Sequence, residues 1–470
     1  MTIISNYILP HPPIVIDSIG KKDIEKCEKT REAMKFVSEE IKALSPDTII
    51  VVTPHGTVFS DAVTINYFEN LYGNLGDFGH SDISLEKKNN ISLVEKIYTE
   101  SRMKNISIAK LDQELCNRFS IKGELDHGVI VPLYFLNQIY SDFKLVHINY
   151  GGLSSDEHYK FGMAIQNACN SIDEKIVLIA SGDLSHKLSN KGPYSFAKEG
   201  PIFDEKLIEY LDEKKTVELV TMDNILQKKA GECGKRSIDT LLGTLEGYDY
   251  NVKVLSYQGP FGVGYGVVSF NSLVEDDERE LYSQIINKKK EINIKRKENE
   301  DAYVRLARKT IEEYVNNNRR LKPEALDLLE EMKKNRAGVF VSIKNASGLR
   351  GCIGTTGTGV SKNIANEIIR NAIEAATKDP RFPAIEPWEL EDLKITVDVL
   401  HKSEAIESKE ALDPNTYGVI VTSGHKRGLL LPNLEGVETV EQQLSIALRK
   451  AGISEDEDYS VEKFKVIRHY

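Results

Sequence analysis

An α/β domain followed by a smaller α+β domain is the architecture this sequence predicts. From the start to about residue 270, short β-branched runs alternate with longer amphipathic stretches, the pattern of helices flanking a mixed or mostly parallel central sheet. Past residue 300 the alternation begins again in a different style, and a charge-dense interval separates the two parts. With 470 residues, two or three cores are expected rather than one.

Taken in order, the first part places strands at residues 3–9, 48–53, 144–149, 176–181 and 253–257, with 265–270 closing the sheet. Runs such as Ile176-Val177-Leu178-Ile179 are apolar on both faces, as central strands are. Helical spacing with charged outer faces falls at 23–44, 91–103, 156–170 and 203–211, in position to cover the sheet. The interval 273–299 combines the acidic block 275–280 with the basic blocks 288–290 and 295–297 and lacks an apolar stripe. It is expected to be a charged linker or surface helix between domain 1–272 and domain 300–470. In the second domain an amphipathic helix opens at Asp301. Strands are expected at 339–343, 395–400 and 418–422, with helices at 364–377 and 439–451.

Composition narrows the function classes. Hydrophobic residues at 40% and charged residues at 28% exclude disordered, collagen-like and disulfide-dense chains. A net charge of −11 argues against a nucleic-acid partner. No apolar run approaches the roughly 18 residues that span a bilayer, and the N-terminus lacks the basic start and cleavage site of a signal, so a cytoplasmic location is expected. Five cysteines without CxxC pairing fit a reducing compartment, where a functional thiol acts singly.

Ligands of an open α/β sheet bind beyond the carboxyl ends of its strands. His11 follows the first strand in Ile8-Leu9-Pro10-His11-Pro12-Pro13, and His55 follows the second in Thr53-Pro54-His55-Gly56. Neutral imidazole is the commonest divalent-metal ligand, so two at equivalent strand ends suggest a metal site. A third strand end carries Ser181-Gly182-Asp183-Leu184-Ser185-His186, where Asp183 and His186 form a proton-transfer pair or, more simply, a helix cap and a surface histidine. In Asp126-His127-Gly128, His127 is a candidate to enter the same crevice while Asp126 caps a helix, with N-capping alone an equal reading. His80, His147 and His158 lack such context and are expected to be structural or exposed. A non-haem iron site needs an anionic third ligand, and Gly231-Glu232-Cys233-Gly234 offers Glu232 and Cys233 side by side.

These five motifs, in order over residues 1–270, resemble the LigB-like class III extradiol dioxygenases, with the Memo proteins as the nearest branch. The resemblance implies a mononuclear site ligated by His11 and His55, with His186 as acid/base and Asp183 and His127 lining the pocket. The ring-cleaving enzymes use a glutamate third, whereas Memo-type proteins are known for a cysteine, so Cys233 is assigned. The implied cofactor is Fe(2+), with copper as the softer alternative that a thiolate favours. The implied substrate is a small catechol-like molecule.

In the second domain, Ser347-Gly348-Leu349-Arg350-Gly351-Cys352-Ile353-Gly354 sets three glycines around one guanidinium and one thiol. Arg350, Gly351 and Cys352 are candidates for binding a small anionic ligand, set against a glycine-shaped strand-to-helix connection. With Asp379-Pro380-Arg381-Phe382 and Gly428-Leu429-Leu430-Leu431-Pro432, this run resembles the AMMECR1 domain. The pairing of a Memo-like module with AMMECR1 resembles two-domain proteins associated with a radical S-adenosylmethionine protein, which implies such a partner. This chain has no CxxxCxxC motif of its own. An oligomer is compatible with the sequence.

Overall fold

The run Thr48-Ile49-Ile50-Val51-Val52-Thr53 is buried at every position, because a central strand is covered on both faces. Its side chains alternate. Ile50 and Val52 enter one apolar cluster and Ile49 and Val51 another, so the two cores lie on opposite faces of one sheet. The computed structural model describes residues 2–346, 348–356, 360–434 and 436–470, and the chain divides into two units, Met1–Lys290 and Glu291–Tyr470.

The first unit contains β1 (Ile3–Leu9), β2 (Thr48–Thr53), β3 (Val63–Asn66), β4 (Asn70–Leu75), β5 (His80–Lys88), β6 (Ile108–Leu111), β7 (Lys144–Asn149), β8 (Ile176–Ser181), β9 (Tyr248–Gln258) and β10 (Tyr265–Glu275). Eight of them form a sheet in the order β6-β3-β7-β2-β8-β1-β10-β9, and β4 and β5 form a separate hairpin. Strands β7, β2, β8 and β1 run parallel, while β3 on β7, β10 on β1 and β9 on β10 are antiparallel. This is the mixed sheet expected from the sequence, flanked by helices such as Glu28–Leu44, Ile91–Met103, His127–Ile139, Ser155–Asn170 and Lys235–Gly243. Strands β3 to β6 were not expected. They are short or carry polar residues, and β5 alternates exposed charged with buried positions, so their apolar signal is thin.

The segment expected as a charged linker or surface helix is largely helical. Strand β10 continues to Glu275, a short turn spans Asp277–Arg279, and a helix runs Tyr282–Glu298. Leu281 and Ile285 are buried in the core of the first unit, and Tyr282 stacks on Tyr159 at 6.3 Å. Two anchors suffice where no continuous stripe exists.

His158, on the helix Ser155–Asn170, is fully buried, and its Nε2 lies 3.1 Å from the Gly151 carbonyl oxygen. Burial holds its imidazole down at about 3, against an ordinary value of 6.5. The folded state therefore refuses a proton that the unfolded chain accepts. Stability is fully present above about pH 6.5 and is lost toward pH 3 at about 1.4 kcal/mol per pH unit. Urea unfolding of His158→Gln at pH 7 and pH 5 is expected to show a smaller acid loss than wild type; an equal loss would refute it.

The second unit is α+β with antiparallel sheets. Its strands are β11 (Val339–Asn345), β12 (Gly348–Gly354), β13 (Lys394–Leu400), β14 (Glu404–Ala405), β15 (Gly418–Ser423), β16 (Lys426–Leu430), β17 (Ser460–Phe464) and β18 (Val466–His469). They form one sheet ordered β12-β11-β13-β18 and another ordered β14-β17-β15-β16. Val339, Val341 and Ile343 pack with Ile364, Ile368 and Ala372 of the helix Ile364–Thr377. That helix is capped by the Asn363 side chain, which accepts the Asn366 N–H at 2.9 Å.

Candidate metal centre

The parallel strands end in register, with Thr53 beside Asn149 and Leu9 beside Ser181. His11, His55 and Asp183 each stand two residues past the last residue of β1, β2 and β8, which brings three motifs from distant sequence to one crevice. Nε2 of His11 and Nε2 of His55 are 2.8 Å apart, and Cys233 Sγ lies 3.6 Å from His11 Nε2. One ligand atom from each of the three lies within 4.8 Å of the others. Two imidazoles and a sulfur form a donor set for a first-row transition metal.

The electrostatics suit a cation. Burial holds the His11 imidazole well below its usual value, so the ring is neutral and one of its nitrogens keeps a lone pair free for a metal. Nδ1 of His11 lies 3.0 Å from Ser181 Oγ, which orients Nε2 toward His55. Burial pushes the Cys233 thiol far up, with nearby Asp183 adding to it. A cation held by His11, His55 and Cys233 would offset that penalty and favour the thiolate, the thiol proton leaving to solvent.

Asp183 is the fulcrum of the group. Its Oδ1 accepts the His11 N–H at 3.0 Å, and its own N–H donates to Cys233 Sγ at 3.3 Å. The N–H groups of Cys233 and Gly234 both donate to the Asp183 carbonyl, at 3.3 and 2.9 Å. A Cβ on Gly182 would sit 2.1 Å from Gly234 Cα, so glycine at both positions lets these two segments touch. Burial raises the Asp183 carboxyl to about 6.

Glu232 is turned elsewhere. Its Oε2 accepts the Lys235 N–H at 2.6 Å, serving the helix that begins there, while the adjacent Cys233 joins the histidines. His127 opens its helix with Asp126 as cap, and its ring lies 4.2 Å from that of His55 and 5.3 Å from that of His11. Burial holds it at about 3. His186 anchors its N–H on the Ala230 carbonyl at 3.2 Å and stacks its ring on Tyr194 at 5.3 Å. Burial lowers it first, Asp183 raises it and His55 lowers it again.

His147, Asp126 and Thr53 support the site in a way their motifs do not show. His147 is fully buried, with Nε2 3.2 Å from Asp126 Oδ2. Asp126 Oδ1 also accepts from Thr53 Oγ1 at 2.8 Å, and that oxygen accepts the His55 N–H at 3.3 Å. The chain His147–Asp126–Thr53–His55 thus sets the turn bearing a donor histidine. The one sequence signal was the period-two pair His147 and Asn149 at the end of β7, which puts both on one face.

The second-domain motif is a strand, β12, paired antiparallel with β11, and not the strand-to-helix connection considered above. Ser347 lies outside the described residues. The Arg350 guanidinium is buried, holding both Glu389 oxygens at 2.7 and 2.8 Å and the carbonyls of Pro383 and Ala384 at 2.8 and 3.1 Å. It is committed to its own domain rather than offered to an anion. At Gly351 a Cβ would meet the Ala375 carbonyl at 2.2 Å, so this glycine serves close packing of helix on strand. Cys352 N–H donates to Asp379 Oδ2 at 2.8 Å, and its sulfur accepts from Ser342 Oγ at 3.3 Å. Asp379, itself buried, pairs with Arg381 at 2.7 Å.

Residues 5–268 match the family model described as the catalytic LigB subunit of aromatic ring-opening dioxygenase. The chain belongs to the LigB family. An AMMECR1 domain follows, matched over residues 304–469. Protein CA_C1420 of Clostridium acetobutylicum is 43% identical over 463 residues, covering 98% of each chain. A Thermotoga maritima protein is 48% identical over 172 residues, 36% of this chain and 98% of its own. The crystal structure of PH0010 from Pyrococcus horikoshii covers 35% of this chain and 88% of its own, with 33% identity and a TM-score of 0.33. LigB-family proteins usually bind a metal, and among the described residues of this one His11, His55 and Cys233 are the group able to hold it. No helix among the described residues is long and apolar enough to cross a membrane.

Proposed function

We propose that this protein is a metal-dependent oxidoreductase of the class III extradiol dioxygenase superfamily, using iron(II) and dioxygen on a catechol-like or related small aromatic substrate. Its AMMECR1 domain binds substrate or a partner such as a radical S-adenosylmethionine protein. The observation that carries this reading is the convergence of His11, His55 and Cys233 with His186 and Asp183 in electrostatic reach. Iron held by those three donors would bind the vicinal oxygens of a catechol and activate dioxygen.

The chain's own residues supply the rest. Burial keeps His186 neutral at working pH, so an imidazole nitrogen is free to take the proton of a substrate hydroxyl and later return it to product. Asp183 stabilises the imidazolium in between and holds His11 and Cys233 in place. His127 closes one wall with an uncharged ring.

A second reading draws on the sulfur itself. A thiolate in place of a carboxylate favours softer metals, including copper, and suits a metal-holding scaffold that does not turn over. Oxygen uptake separates the two. Protein loaded anaerobically with iron(II) is expected to consume dioxygen on at least one of a panel of catechols. His186→Ala, at equal metal content, is expected to be at least about 100-fold slower. No uptake across the panel by metal-replete wild type would count against the enzyme and for the scaffold.

A further inference from the structure

A partly exposed aromatic ring beside a ligand site offers stacking surface to whatever binds there. Two such rings stand directly against the imidazoles of the candidate centre. Phe78, 42% exposed, lies in the turn between β4 and β5, and its ring centroid is 5.0 Å from that of His127 at an interplanar angle of 67°. His127 in turn stacks on the donor His55 at 4.2 Å. Tyr194, 51% exposed, lies in the non-regular segment after His186 and stacks on that imidazole at 5.3 Å and 23°. Neither ring contributes to the core clusters. Each leaves part of its surface to solvent while touching a histidine on the border of the donor group.

We infer that Phe78 and Tyr194 are the specificity-determining walls of the site, selecting a planar aromatic ring over an aliphatic chelator of the same metal. The inference rests on the metal-centre reading above and adds which residues read the ligand. Aromatic pairs prefer offset-stacked or edge-to-face geometry at centroid separations of about 4.5–7 Å. Both rings already hold an imidazole in that range, so a planar ligand brought to the donor group meets π surface that is already oriented. The two rings come from separate segments, the β4–β5 turn and the segment following β8, so each can be removed without disturbing the other. Both are exposed enough for substitution to leave folding intact.

The test uses the full chain loaded anaerobically with iron(II), with 4-nitrocatechol as the aromatic probe and acetohydroxamate as a ring-free bidentate chelator. Phe78→Ala and Tyr194→Ala are each expected to weaken 4-nitrocatechol by about fivefold, with metal content and acetohydroxamate affinity unchanged. Tyr194→Phe should keep wild-type affinity, because the ring carries the effect, whereas Tyr194→Leu should lose it. Equal 4-nitrocatechol affinity in wild type and both alanine variants, at full metal content, would overturn the inference while leaving the metal centre standing. Equal loss of both probes would also overturn it, since the rings would then be supporting the site rather than reading the ligand. Failure of wild type to take up iron would instead remove the reading on which the inference rests.

Discussion

His11→Ala and Cys233→Ala are each expected to purify anaerobically with almost no transition metal, while wild type carries close to one equivalent. Each substitution takes one donor from a three-donor set whose ligand atoms lie within 4.8 Å of one another. Loss of residues that merely orient ligands typically costs 10–100-fold in metal affinity, about 1.4–2.8 kcal/mol, so loss of a ligand itself should exceed about 100-fold. Ser181→Ala serves as the internal scale. It removes the hydroxyl beside His11 Nδ1 and should fall within that lower range. Glu232→Gln should leave metal content unchanged, because that carboxylate accepts the Lys235 N–H. Metal analysis of the four variants decides the matter. Retained metal in Cys233→Ala with loss in Glu232→Gln would reverse the assignment of the third ligand.

The second large effect concerns stability. Lys235 and Asp239, one turn apart on the helix Lys235–Gly243, form an ion pair in which both side chains are completely buried. Asp239→Ala strands an ammonium group in the interior, at a cost of about 3–5 kcal/mol. Whole-domain stabilities run about 5–15 kcal/mol, so this is a large fraction of the first unit's reserve. Hydrogen exchange across that helix should show the loss directly. The double substitution Lys235→Met with Asp239→Leu should recover most of it, because two apolar side chains of similar size need no partner. A cost below about 1 kcal/mol for Asp239→Ala would mean that water reaches the lysine. The helix begins two residues after Cys233, so the same variant should also loosen metal retention.

The parallel core of the fold was legible because buried strands are written as short runs rich in apolar and β-branched residues, and 3–9, 48–53, 144–149 and 176–181 coincide with β1, β2, β7 and β8. Strands of only four residues carry no such mark, and β3 and β6 went unseen. In the segment 273–299, expected as a charged linker or surface helix, what the sequence did not show was the burial of Leu281 and Ile285, which depends on the surface they meet and not on their own period.

Read alone, the residues determined the two-domain order, the strand ends bearing His11, His55 and Asp183, and the pair Glu232 and Cys233 from which a third donor had to come. The family resemblance put Cys233 first of that pair, and only the tertiary structure shows where each side chain goes, because the turn after Gly231 gives Glu232 to a helix amide and Cys233 to the crevice. Only it could show that Arg350, read as an anion binder, already holds Glu389 and two carbonyls. A residue's type states what it is able to bind, whereas its partner is set by which distant segments fold against it, and that information lies in the packing rather than in any local run.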